Sequence, residues 1–201
     1  MIFTYTNGDF FENTYLLTND LNEGLLIDPG EGIDKYLDEI NKFEIKGILL
    51  THGHLDHIDG IKYFKDLPIY IYKDEVSFLN DSNKSLYKYF NKHIPFNSNE
   101  LNVIELEEGI INLLGYSIQI IHTKGHTIGS CCYLVDNKYL FSGDTLFQCS
   151  IGRTDFPTGN NNDLTNSLNK LKLLDDSIKI YPGHGVETTI SFEKKYNPYF
   201  R

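Results

Sequence analysis

Five histidines and two aspartates carry most of the chemistry in this sequence. His52, His54, Asp56 and His57 lie within Thr51-His52-Gly53-His54-Leu55-Asp56-His57, straight after the apolar run 45–50. His126, Asp144 and His184 follow in turn-like settings: Gly125-His126-Thr127, Ser142-Gly143-Asp144 and Pro182-Gly183-His184-Gly185. The chain has seven histidines, so most of its imidazole belongs to this set. Imidazole nitrogens and carboxylate oxygens are what borderline divalent ions bind, and the set is too large for one tetrahedral ion. It reads as a two-metal hydrolytic site. Gly-His-Thr or Ser-Gly-Asp alone is an ordinary polar turn. H-x-H-x-D-H behind a buried strand is far more specific, and the set is more specific than any part.

The spacing says which elements must hold these groups. Side chains alternate along extended backbone, so an apolar strand ending in H-x-H throws two imidazoles to one side. Asp56 and His57 then open the next segment, 58–67, which reads as a helix. Other apolar segments at 2–5, 14–17, 25–27, 118–121, 132–135 and 178–181 are bounded by Gly, Asn or Asp and read as strands. Helical periodicity appears over 33–43 and 164–174, with Asn162 or Asp163 as the cap of the second. Strands alternating with helices in both halves predict a layered α/β domain.

On these motifs the chain resembles the metallo-β-lactamase superfamily, whose pattern is H-x-H-x-D-H followed by a separate His, Asp and His. Within it, Ile27-Asp28-Pro29-Gly30, Ser142-Gly143-Asp144-Thr145-Leu146-Phe147 and Ile151-Gly152-Arg153-Thr154-Asp155-Phe156-Pro157 resemble the glyoxalase II-like (hydroxyacylglutathione hydrolase-like) enzymes. The resemblance implies a four-layer αβ/βα sandwich, with two mixed sheets inside, helices outside and metals in loops at one edge. It also implies a ligand set. His52, His54 and His126 would hold one ion, Asp56, His57 and His184 the other, and Asp144 would bridge. The expected cofactor is two divalent ions, Zn2+ first, with Fe or Mn as alternatives.

The implied activity is dinuclear hydrolysis of a small acyl thioester such as S-lactoylglutathione by a metal-bridging hydroxide. A thiolate leaves without a dedicated general acid, which suits this donor set better than an amide would. Asp56 is the candidate to orient the water. Asp28, at a strand end, is the candidate partner for a ligand imidazole, with a turn-forming role as the alternative. Arg153 falls where glyoxalase II enzymes carry a basic residue near glutathione, and could pair with a substrate carboxylate. An Arg153–Asp155 pair shaping the loop is the competing reading. Two departures from the full-length glyoxalase II pattern stand out. Gly185-Val186-Glu187 follows His184 where that family has a tyrosine, and its C-terminal helical extension has no counterpart after Asn197-Pro198-Tyr199-Phe200-Arg201. One domain over 1–201 is therefore expected, with a glutathione-like thiol or another small thioester as partner.

Rival activities share the fold. An iron-dependent persulfide dioxygenase would use His52, His126 and Asp144 on a single iron. A β-lactamase fits less well at His54 and Asp144, and a flavodiiron protein would have Glu at His54. A catalytically silent binding module should have lost ligands, and none is lost.

Composition narrows the partners. A formal charge of −10 and scattered lysines give no basic stripe for nucleic acid. No apolar run approaches the ~20 residues of a membrane span, and the N-terminus lacks a signal-peptide pattern. Three cysteines, Cys131, Cys132 and Cys149, with no C-x-x-C, suggest small buried residues in a reducing cytoplasm. His122 is expected as a structural strand-end residue and His93 as a surface one. The polar stretch 80–100 is expected to form a short surface helix and loop, and 160–162 a loop. Composition does not set an oligomeric state.

Overall fold

The computed structural model describes residues 1–201. The chain divides into two compact units, Met1–Leu106 and Glu107–Arg201.

The first unit is built on a six-stranded sheet in sequence order: β1 (Ile2–Asn7), β2 (Glu12–Thr18), β3 (Glu23–Ile27), β4 (Glu44–Leu50), β5 (Pro68–Tyr72) and β6 (Asn102–Leu106). β1 to β3 pair antiparallel, and β3 to β6 pair parallel. Parallel neighbours need crossovers, and the sequence supplies them as short helices. A 3₁₀ turn (Ile33–Tyr36) runs into α1 (Leu37–Ile40) between β3 and β4, and α2 (Leu55–Ile58) runs into a second 3₁₀ turn (Asp59–Tyr63) between β4 and β5. β2 and the latter half of β4 are buried at every position, as strands covered on both faces are.

The second unit runs β7 (Gly109–Leu113), β8 (Tyr116–His122), β9 (Cys131–Val135), β10 (Tyr139–Gly143), a separate hairpin of β11 (Leu146–Phe147) and β12 (Ser150–Ile151), α3 (Asn161–Leu171), β13 (Lys179–Pro182), β14 (Thr188–Thr189) and α4 (Ile190–Tyr196). Its main sheet has the order β14-β13-β10-β9-β8-β7. Only β10 and β13 pair parallel, and α3 is their crossover. Leu164, Leu168 and Leu171, spaced along one face of α3, join Leu134, Leu140 and Ile180 in the core.

Each strand segment read from the sequence overlaps a strand here, with Ile178 just outside β13, whereas β5, β6, β7, β10, β11, β12 and β14 are not among those segments. The helices came out shorter and earlier. The segment 58–67 starts as helix at Leu55 and ends in a 3₁₀ turn at Tyr63, and 33–43 is half 3₁₀. α3 begins at Asn161 rather than 164, and its cap is Asn160, whose side chain accepts from the Asp163 N–H. Residues 161 and 162 are thus in its first turn, not in a loop. The stretch 80–100 is helical only in a 3₁₀ turn at Ser98–Glu100, and its middle is not surface: Ser85, Leu86 and Tyr87 are buried, with the Tyr87 hydroxyl donating to Asp59 at 3.1 Å. Cys131 and Cys132 are buried as expected, but Cys149 is exposed. No helix is long and apolar enough to cross a membrane.

Candidate metal centre

Apart from His126, which follows the antiparallel strand β8, the candidate ligands of each unit stand beyond the carboxyl ends of parallel strands, where open α/β sheets leave backbone turns facing a crevice. In the first unit, β3 ends at Asp28 and β4 at Thr51-His52. Asp28 adopts a left-handed φ of 51°, an uncommon conformation that Asp tolerates better than most residues. The turn brings its buried carboxylate onto the end of β4. Oδ1 accepts the Thr51 N–H at 2.7 Å, and Oδ2 accepts the Thr51 hydroxyl at 2.6 Å and His57 Nδ1–H at 3.0 Å. Because the Thr51 hydrogen goes to Asp28, the contact of Thr51 Oγ1 with His52 Nδ1 at 3.2 Å has the imidazole as donor. One carboxylate therefore sets the tautomer of two imidazoles, so that Nε2 carries the lone pair in both.

The next residues are held by acceptors from distant loops. Glu75, fully buried, accepts the Gly53 N–H at 2.8 Å, and the Ser85 carbonyl accepts the Leu55 N–H at 2.9 Å. With Asp28 on Thr51, three alternate amides of one extended stretch are pinned, and the intervening His52 and His54 are projected by the pleat. Gly53 packs so tightly on Phe78 that a Cβ would come within 2.4 Å of it. The rings of His52 and His57 lie 4.1 Å apart between centroids, and those of His52 and His54 4.7 Å apart. Asp56, partly exposed, places Oδ2 3.9 Å from His57 Nε2. Donor atoms of Asp28, His52 and His57 also lie within 4.8 Å of one another. Asp28 already accepts three hydrogen bonds, from the Thr51 amide, the Thr51 hydroxyl and His57.

A buried carboxyl group stands near this stretch. Burial pushes the Glu12 carboxyl well above the usual carboxylate range; His57 opposes the rise, while Asp28 and Asp56 add to it.

In the second unit Asp144 follows β10, and its two oxygens face different imidazoles. Oδ2 stands 3.4 Å from His126 Nε2 and Oδ1 3.6 Å from His184 Nε2. Both separations exceed an ordinary N–H···O bond. His126 is buried, and its Nδ1–H donates to the Arg153 carbonyl at 2.7 Å, again leaving the lone pair on Nε2. Gly152 allows this approach: a Cβ there would come within 1.8 Å of the Asp144 carbonyl oxygen. His184 keeps 26% of its side chain exposed, and Phe147 packs edge-on against it at 6.0 Å. The Arg153 side chain is exposed, bonded through Nε and Nη2 to both Asp155 oxygens at 2.6 Å, and stacked on Phe156 at 4.0 Å. That guanidinium holds the Asp155 carboxyl down at about 2.

A sequence model of the metallo-beta-lactamase superfamily matches residues 7–184. The chain belongs to this superfamily. Among curated relatives, hydroxyacylglutathione hydrolase GloC of Haemophilus influenzae is 34% identical, covering 94% of this chain and 93% of that protein. Among solved structures, the B3 metallo-beta-lactamase BLEG-1 superposes with a TM-score of 0.93 at 30% identity, covering 100% of this chain and 99% of the other. TTHA1623 in a di-iron-bound form superposes at 0.84 with 32% identity, covering 98% and 99%. The metallo-beta-lactamase fold and the class of metallo-hydrolases are thereby given.

The residues fit a metal of that class. Buried imidazoles turned by carboxylate and carbonyl acceptors so that Nε2 is the Lewis base, beside carboxylates left as acceptors, form a borderline-metal donor set. Of the sequence candidates, the first unit brings together Asp28, His52, His54, Asp56 and His57; the second brings together His126, Asp144, His184 and the Arg153 backbone. His122 ends β8 with Nε2 against the Ile128 carbonyl, and His93 is exposed. Thr51, Glu75, Phe78 and Ser85 escaped the sequence reading. Only the H-x-H motif itself hints that such supports must exist.

Proposed function

We propose that this protein hydrolyses small acyl thioesters of the S-lactoylglutathione type with two divalent metal ions, Zn2+ foremost. His52, His54 and His126 are assigned to one ion, Asp56, His57 and His184 to the other, and Asp144 to both. The observation that carries this reading is Asp144, whose two oxygens turn to two different imidazoles, a placement that would let one carboxylate serve both ions. The relative named hydroxyacylglutathione hydrolase supports the substrate class. When bound, such an ion pair lowers the pKa of water and polarises an acyl carbonyl. Asp56, partly exposed beside His57, accepts a hydrogen bond from the attacking water and orients it. Arg153 exchanges Asp155 for a substrate carboxylate, keeping a bidentate pair. The thiolate leaves without a proton donor. A cytoplasmic location accords with three cysteines that form no disulfide.

The test is hydrolysis of S-lactoylglutathione by the metal-reconstituted protein, with Asp144→Ala as control. Turnover abolished by the substitution is expected. Cleavage of a β-lactam alone would replace the thioester reading with the activity in BLEG-1's name. Iron-dependent oxygen consumption with glutathione persulfide alone would replace it with a dioxygenase, for which the likeness to ETHE1 from Myxococcus xanthus, at a TM-score of 0.78 and 26% identity, is the favouring observation.

A further inference from the structure

Beyond the ligands and their immediate partners, two buried polar side chains stand on α4 and at its C-cap. Glu193 and Asn197 stand one turn apart, both with no exposed surface. Glu193 Oε1 accepts the Thr188 hydroxyl at 2.6 Å; Oε2 accepts the Cys149 N–H and Asn197 Nδ2, each at 2.8 Å. Asn197 Nδ2 also donates to the Ser150 carbonyl at 3.0 Å and reaches the Phe147 carbonyl at 3.4 Å. Burying a carboxylate and an amide is costly unless every group is satisfied, and apolar side chains would hold a helix to this surface at less cost. What the polar pair adds is a defined geometry.

The element it holds is the β11–β12 hairpin, whose tip, Cys149, takes a left-handed φ of 55°. That hairpin meets every candidate ligand of its unit. Asp144 leads into it, and Phe147 packs on His184. Gly152, directly after it, backs the Asp144 carbonyl, and the Arg153 carbonyl orients His126. Thr188, four residues beyond His184, is bound to the same carboxylate.

We propose that Glu193 and Asn197 are positioning residues for the metal centre, clamping the β11–β12 hairpin and the strand after His184 so that Asp144, His126 and His184 keep their mutual geometry. The inference rests on the metal-centre reading above. Its test uses Co2+ alone, with affinity measured by chelator competition and ligand geometry by the visible bands. Asn197→Ala and Glu193→Ala should bind Co2+ about 10–100-fold more weakly and shift the bands. Glu193→Gln should restore both, since its carbonyl can accept from Cys149 and its amide can donate to Thr188. Leu168→Ala, a core truncation in α3, should lower the melting temperature with wild-type bands. Wild-type affinity and bands in Asn197→Ala would overturn the inference, and that variant decides if Glu193→Ala does not fold. A wild-type protein that takes up no Co2+ overturns the metal-centre reading and this inference together. One that binds Co2+ yet leaves thioesters untouched overturns only the substrate, and the variants still decide the clamp.

Discussion

The two sets of candidate ligands are supported in opposite ways. In the first unit His52, His54 and His57 are buried, and the stretch that carries them is pinned at close range. Asp28 bonds directly to His57 and to Thr51, and Glu75 and Ser85 take the amides between. In the second unit the support is carried by a hairpin. A backbone carbonyl orients His126, a glycine admits the Asp144 carbonyl, and His184 stays partly exposed beside Phe147. Buried charged acceptors make the first set rigid and expensive to disturb. A short two-stranded hairpin has little stability of its own, so the second set depends on what holds the hairpin down.

Mutations can break that comparison. The largest effect is expected from Asp28→Ala, which leaves the Thr51 amide, the Thr51 hydroxyl and His57 Nδ1 without their acceptor. Denaturant titration should show a loss of about 3 kcal/mol or more. Metal content after dialysis should fall too, and an unchanged midpoint would remove the claim of a rigid first set. Gly152→Ala comes next. Its Cβ must displace the Asp144 backbone, so turnover should fall up to about 100-fold while the denaturation midpoint moves less than in Asp28→Ala. If both variants lost stability and turnover in the same proportion, the two sets would not differ as described.

The smallest effect belongs to the exposed Arg153–Asp155 pair. Asp155 has its carboxyl held at about 2, so the pair's contribution is present above the ordinary carboxylate range and lost only as pH falls toward 2. The difference in melting temperature between wild type and Asp155→Asn should therefore stay constant from about pH 5 to 9 and shrink below about pH 4. Divergence within the upper window would assign the pair a different role. A change in substrate KM with stability untouched would place Arg153 at the substrate.

Legibility followed the range of the interactions. The H-x-H-x-D-H motif could be read because strand alternation and the following turn are local, and they place four groups within six residues. Core strands such as β2 and β4 were visible as apolar runs. β6 and β7 were not, because their residues are half exposed and mixed with polar ones. The cap read at Asn162 or Asp163 lies two or three residues past Asn160 because 160–162 offers Asn at each position, and only the backbone shows which side chain meets the Asp163 amide. Ser85 and Tyr87 sit in the most polar stretch of the chain, and composition alone put them on the surface.

By itself the sequence determined the donor set, its order and the superfamily, because ligand chemistry is a property of residue types and short spacings. Tertiary structure decided which nitrogen of each supported imidazole carries the lone pair, that the Asp28 carboxylate accepts from Thr51 and His57, and that Glu75, Glu193 and Asn197 are buried acceptors and donors in hydrogen-bond networks. Each of those rests on a hydrogen bond that is distant in sequence or has to be chosen from several possible partners. A buried carboxylate has no local signature, since the amide it accepts is chosen by the fold.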